Sequence, residues 1–562
     1  MIGVIANQDQ AEIVEEFFQL FKTPWEIYRA EESYEIVVVA GTIPEKISAE
    51  LILAYGSNLS SSDGAAGIVE HARVENAKIE WRGNQIPLYG RLLTFKQTNQ
   101  RPVCNTTGSE VAAIEVARAN PRVIRLGYDL FEEIALLLST GQPVENALIP
   151  TLDLHIALLR DLILESGISL IEIPPVPAGH DVMACLTHDI DFVGIRPHKF
   201  DHSMYGFLYR STIGSIQNFI RGRASFRHVL ECWKAAAKLP FVYLGLAHDF
   251  WLPFEWYLRL EKDLSPTYFL IPFKHRHGDK VNLPHSERRG CGYDVEDIAD
   301  WVVRLQAEGC EIGVHGIDAW HSVEKGREEL NRIAAVAKQA DLGMRSHWLL
   351  KNADTARILE EAGYSYDSTC GYNETIGFLN GTSQAFKPLG VQKLLELPMH
   401  IQDGALFFPG RLGLSDAEAE QRCNALIDVT RKSGGVLTLL WHDRSHGPER
   451  FWGNFYKHLV ETLKMQNAWF GTAAAVVAWF RARRQICFRT IRSADGARHI
   501  RLCGKGAKMS PAFRVRAHTP NTQGGKPELI DFAWDGHSDL DPHSIHTKSV
   551  QDFVGPVPLN AA

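Results

Sequence analysis

Along the first 180 residues, unbroken apolar runs alternate with helically spaced ones. Residues 35–41 read Glu-Ile-Val-Val-Val-Ala-Gly, a β-branched run suited to a strand covered on both faces, and 123–127 repeats the type. From 129 to 138, and again from 148 to 164, apolar positions recur at the spacing of one helix face. The pattern predicts an α/β unit without a chemical motif. At 173–179 the chain reads Ile-Pro-Pro-Val-Pro-Ala-Gly, too stiff to continue a helix or a central strand, and this predicts a domain boundary near 180.

Beyond it, short apolar strands at 182–186, 267–271, 311–314, 343–347, 394–398 and 436–441 are interleaved with amphipathic helices at 295–308, 324–340, 353–362, 416–432 and 450–464. Sustained strand–helix alternation predicts parallel strands in an α/β barrel or doubly wound sheet, of which a barrel is the preferred reading. After 486 the texture changes to short β-prone runs (486–490, 512–517, 528–534) separated by Gly, Ser, Asn and Pro. Three regions are expected: a separate N-terminal α/β domain (1–180), a barrel (181–485), and a small β-prone appendage or poorly ordered tail (486–562).

Length and composition agree with several domains. The 562 residues exceed what one core usually supports, and 45% hydrophobic with 22% charged residues is an ordinary globular balance. A net charge of −8 without a concentrated Lys/Arg block argues against a nucleic-acid binder. The nine cysteines include no Cys-x-x-Cys pair, which predicts reduced structural thiols. With no secretory pattern at the start and no apolar stretch of membrane-spanning length, no membrane span and a cytoplasmic location are expected.

A barrel gathers the polar residues that follow its strands at one face. The chain meets this demand four times: Thr187-His-Asp189-Ile-Asp191, His315-Gly-Ile-Asp318-Ala-Trp-His321, Arg345-Ser-His347-Trp348 and Trp441-His442-Asp443-Arg444 each end an apolar run. Singly, such residues are more often helix caps or packed histidines. Together they suit a hydrolytic metal site. Asp191, His315 and His321 supply the three protein ligands of a catalytic zinc or similar divalent ion, which activates water. Asp189 is placed to take the water's proton, and His442 to protonate the leaving group.

At these residues the sequence resembles the polysaccharide deacetylases, the carbohydrate esterase family 4 type, over about residues 182–485. Thr187-His-Asp189-Ile-Asp191 resembles the family's first motif, implying Asp189 as base and Asp191 as metal ligand. Glu311-Ile-Gly-Val-His315 resembles its metal-histidine motif, Arg345-Ser-His-Trp348 its arginine motif, Asp367-Ser-Thr-Cys-Gly-Tyr372 its groove-lining motif, and Leu439-Leu-Trp-His442 its last. The resemblance implies a barrel, a metal-dependent hydrolase acting on N-acetyl or O-acetyl groups of a carbohydrate, and Arg345 orienting Asp189. Trp348, Tyr372 and Trp441 are candidates to stack on a sugar. Family metal histidines stand four apart, whereas His315 and His321 stand six apart. In a loop they can still converge, and in a helix Asp318 or another residue must replace His321. Two alternatives stay open: a cytoplasmic amidohydrolase acting on a small amide, and a glycan-binding protein with a degraded metal site.

Overall fold

The computed structural model describes residues 1–41, 44, 46–96, 100–116, 121–222, 224–279, 286–492, 498–504, 508–520, 528–537 and 540. They form two compact units, one of residues 1–180, 380–384 and 479–562, the other of 181–379 and 385–478.

In the first unit the β-branched run becomes strand Tyr34–Ala40, hydrogen-bonded in parallel between Ile2–Ile5 and Ala49–Tyr55, and Arg122–Leu126 continues the sheet in parallel. Residues 36–40 are all buried, as an unbroken apolar run requires. Past Arg122–Leu126 the sheet turns antiparallel. The helices expected at 129–138 and 148–164 are Leu130–Ser139 and Thr151–Glu165.

Of the expected appendage or tail at 486–562, residues 541–562 lie outside the described residues, and the described strands pair with the N-terminal region. Strand Phe513–Thr519 pairs antiparallel with both Leu170–Glu172 and Glu528–Trp534, so these C-terminal residues are part of the first unit. Glu172 anchors the join, its buried carboxylate 2.8 Å from both His518 Nε2 and Arg160 Nη2. Partners more than 300 residues apart in sequence leave no local periodic signal.

The second unit is built on one parallel sheet: β1 (Val182–Ile190), β2 (Thr267–Leu270), β3 (Glu311–Gly316), β4 (Met344–Ser346), β5 (Tyr366–Asp367), β6 (Leu395–Glu396), β7 (Ile401–Gln402), β8 (Val436–Leu440) and β9 (Ala468–Phe470). The lateral order is β6-β5-β4-β3-β2-β1-β8-β7, with β9 beside the start of β1. Every pairing is parallel.

The sheet is curled. β4 lies three strands from β1, roughly 14 Å away in a flat sheet. Yet Arg345 Nη1 on β4 donates to Thr187 Oγ1 on β1 at 2.7 Å. The sheet is the half-barrel that agrees with the expected barrel, and strand pairing leaves a seam because β6 and β7 are two residues each and do not pair. The segment between them spans the seam with single bonds, Leu397 N–H to the Asp367 carbonyl (2.8 Å) and His400 N–H to the Thr438 carbonyl (3.0 Å).

Helices lie between the strands near the expected positions, for example Val323–Ala337, Asp416–Ser433 and Trp452–Met465. Ser415 starts the second of these with a capping box, its hydroxyl accepting from Glu418 N–H while the Glu418 carboxylate accepts from Ser415 N–H. Helices between 202 and 243 follow β1 where the sequence predicted none. Among the described residues, no helix is long and apolar enough to cross a membrane.

Candidate active site

Strand parity sorts the first motif. Successive side chains of β1 point to opposite faces. Thr187 and Asp189 point inward to Arg345, and Asp191, two residues on, continues that line past the strand end. His188 points outward, where its buried ring lies 2.8 Å from the Trp441 carbonyl and 3.0 Å from Glu261 and packs beside Tyr257 and Tyr268. It is a packing residue of the outer layer.

The same parity acts on β3 and β4. His315 ends β3 with its Nε2 3.4 Å from Asp191 Oδ1 and 3.7 Å from Asp189 Oδ2. Its Nδ1 lies 3.0 Å from the Arg345 carbonyl, which can only accept, so Nδ1 carries a proton and Nε2 is left facing the acids. On β4, Arg345 points inward, and His347 follows it two residues later with Nε2 3.4 Å from the same Asp191 Oδ1. The chain then turns through Trp348 and Leu349, both in the left-handed region at φ 66° and 54°, a costly conformation for large side chains.

Asp191, His315 and His347 thus present three ligand atoms all within 4.8 Å of one another. Asp191 Oδ1 and His347 Nδ1 are buried without a hydrogen-bond partner, so the cluster is not satisfied by protein groups alone. Burial holds the His347 imidazole down to about 3, against the pull of Asp191, which keeps it neutral as a metal ligand must be. Burial disfavours charge on Asp191 too, but His347 and His315 hold its carboxyl well below the usual range. His315 is raised despite its burial because Asp189 and Asp191 both face it. The donor set, one carboxylate oxygen and two imidazole nitrogens, suits zinc or a similar divalent ion.

Two further groups flank this cluster. Asp189, 2% exposed, accepts from Arg345 Nη1 at 3.0 Å, and Arg345 is itself held by Ser368. Across from it, His442 follows β8, its Nδ1 2.6 Å from Asp403 Oδ1 and its backbone N–H donating to Asp403 Oδ2 at 2.8 Å. Burial works against protonation of His442, but the fully buried Asp403, helped by Asp191 and Asp189, pushes it up to about 9. It is therefore a cation at neutral pH, with Nδ1–H spent on Asp403 and Nε2–H available.

His321 does not join the cluster. Glu329 accepts the backbone N–H of Ile317 (2.9 Å) and Asp318 (2.8 Å), pinning a turn directly after β3. His321 lies instead 3.2 Å from Asp279 and 3.3 Å from Asp318. Asp279, Asp318 and His321 form a second, more exposed cluster of potential ligand atoms, in which Lys325 pairs with both acids. His347, and not His321 or Asp318, is the residue that lies beside Asp191 and His315. Its signal was readable, an inward residue two beyond Arg345 at a strand end. Asp403, the partner of His442, had none, being brought in by the short strand β7.

The aromatic candidates separate as well. Trp441 is fully buried, stacked on Tyr456 at 4.9 Å, and belongs to the core, because it alternates with the inward residues of β8. Tyr372 is 6% exposed, too little for a stacking platform. Trp348 is half-buried and edge-on to His347 at 5.9 Å.

The fold and this cluster together define an α/β protein with a candidate metal-ligand set at the strand ends of a curled parallel sheet. No family model matches the chain, and no curated protein matches it in sequence. Among solved structures the chain is similar to a protein described as a polysaccharide deacetylase from Mycobacterium smegmatis (20% identity, 57% of this chain and 99% of that one, TM-score 0.35). It is also similar to the allantoinase PuuE (14%, 55% and 93%, TM-score 0.35) and to a protein described as a polysaccharide deacetylase from Pseudomonas aeruginosa PAO1 (14%, 57% and 98%, TM-score 0.33).

Proposed function

We propose that the second unit is a metal-dependent hydrolase that removes an acetyl group from an amide or ester nitrogen or oxygen of a carbohydrate. The observation that carries the reading is Asp191 Oδ1, buried without a hydrogen-bond partner and 3.4 Å from both His315 Nε2 and His347 Nε2. Asp191, His315 and His347 are the ligands. A divalent ion held by them would polarise the acetyl carbonyl and ease loss of a proton from water.

Asp189 is the base. Arg345 holds its Oδ1, leaving Oδ2 to receive the proton of the water that adds to the carbonyl carbon. The tetrahedral intermediate then collapses, the bond from carbonyl carbon to the leaving nitrogen or oxygen breaks, and that atom takes the proton of His442 Nε2. Acetate and the free amine or alcohol result. Asp403 keeps His442 protonated and orients its ring. Trp348, half-buried where Tyr372 and Trp441 are buried, is assigned to the sugar. The wide histidine spacing that favours a degraded site loses its force once His347 is counted.

The test uses protein purified without chelator, metal analysis, and acetate release from N- and O-acetylated oligosaccharides and small amides. His347→Ala is expected to lose both metal and activity, while His321→Ala keeps both. Asp189→Asn should keep the metal and lose roughly 10²–10⁴-fold in kcat. Metal retained by His347→Ala, or full activity in Asp189→Asn, would overturn the assignment.

A further inference from the structure

We infer that the helical insertion after β1 is a docking surface for an anionic lipid bilayer. Of the 21 exposed large hydrophobic side chains among the described residues, 13 fall between Phe200 and Leu246, all in the second unit. The clustering has a helical order. On helix Phe226–Tyr243, Val229, Cys232, Leu239 and Val242 face inward and are buried. The opposite side, where a surface helix normally carries charge, instead presents Phe226 (60% exposed), Leu230, Trp233 and Phe241, continued past its end by Leu244 (71%). At one residue per 100° these five fall within about 80° of one another, a continuous outward stripe. Tyr205, Tyr209, Ile213, Ile216 and Ile220 repeat the i, i+3, i+4 spacing on the preceding helical stretch and are also exposed.

The insertion is well seated, so this apolar face is not the inside of a loosened element. Ile195, Met204, Phe207, Leu239, Val242 and Trp251 form a core cluster beneath it. Asp249 accepts the backbone N–H of Ile195 and Arg196, and Tyr243 donates to the His198 carbonyl at 2.8 Å.

Charge chooses the occupant. Residues 194–246 contain eight Lys and Arg against two acids, in a chain whose net charge is −8. On the Phe226–Tyr243 helix, Lys234 and Lys238 fall at one edge of the apolar stripe, beside Arg227, which pairs with Glu231 at 3.2 Å. An apolar stripe with Trp, Tyr and Phe, edged by cations, is the pattern of a helix lying in the interface of a bilayer. Its rings enter the headgroup boundary while its ammonium and guanidinium groups meet lipid phosphates. A second copy of the chain fits less well, since a two-fold interface would bring together two copies of the same cation-rich patch with few acids to meet them. The inference is independent of the proposed hydrolysis, and each can fail without the other.

Cosedimentation of the full chain with phosphatidylcholine vesicles, with and without phosphatidylserine, tests it. The protein is expected to pellet with the serine-containing vesicles and to be released by high salt. Trp233→Ser with Leu244→Ser should lower the partition coefficient at least tenfold with an unchanged melting temperature, both side chains being exposed. Lys234→Gln with Lys238→Gln should lower it roughly tenfold or more on anionic vesicles only. Failure of the wild type to pellet with either vesicle, or equal pelleting of the Trp233/Leu244 variant, overturns the proposal. So does a dimer in analytical ultracentrifugation that the Trp233/Leu244 substitutions dissociate while vesicle binding is absent.

Discussion

At the residue scale, the pairing of His442 with Asp403 makes a definite pH prediction. The imidazole titrates at about 9, lifted by the buried Asp403 against the cost of its own burial. As the proposed acid it works in its protonated form, so kcat should hold through neutral pH and fall as pH rises through about 9. Asp403→Asn removes the principal lift, and the alkaline limb should move down toward the ordinary histidine value of about 6.5. A pH–rate profile of the two proteins checks this, and an unmoved limb would remove His442 from the acid role. The first motif, Thr187-His-Asp189-Ile-Asp191, was legible because strand parity sends alternate residues to one face. His321 misled because a count of histidines along the chain ignores the turn that Glu329 imposes after β3.

At the element scale, the curl of the sheet depends on small residues where strands approach closely. A Cβ on Gly343 would lie 2.0 Å from the Tyr366 ring, and one on Gly313 2.6 Å from the Phe269 ring. Tyr366 cannot swing aside, since it is buried and its hydroxyl donates to Glu311 Oε1 at 2.7 Å. Gly343→Ala should therefore cost about 1–3 kcal/mol by overpacking, read as a fall of several degrees in the melting temperature. An unchanged melting temperature would mean that β4 and β5 pack more loosely than described. Strands β1, β3 and β8 were legible as apolar runs bounded by polar residues, whereas β5, β6 and β7, two residues each, are too short for any period. The helices between 202 and 243 escaped because apolar residues on two opposite sides blur the amphipathic pattern by which a surface helix is recognised.

At the scale of the whole molecule, the first unit is joined by a non-local strand pair, and its ion cluster sets an acid limit. Burial alone would raise the Glu172 carboxyl, but Arg160 and His518 outweigh it and hold it at about 2. A carboxyl depressed in the folded state contributes stability that is complete above its unfolded value of about 4.5 and is lost as pH falls toward 2. Glu172→Gln is expected to lower stability at pH 7 and to flatten its pH dependence between about 4.5 and 2, measured by denaturant unfolding across that window. An unaltered pH dependence would show that the cluster does not hold Leu170–Glu172 to Phe513–Thr519.

What the sequence determined by itself is whatever local periodicity encodes: the α/β character of both regions, the major strands, and the placement of ionisable residues at their ends. It also marked Asp189, Asp191, His315, Arg345 and His442 as candidates, because each stands beside an apolar run it terminates. Only the tertiary structure decided that His347 and not His321 lies beside Asp191 and His315, that Asp403 backs His442, that Trp441 is core, and that the C-terminal strands complete the first unit. The physical reason is common to all four. Each depends on which residues distant in sequence are brought within hydrogen-bond or packing distance, and that is set by the curl and lateral order of a sheet, which no local pattern records.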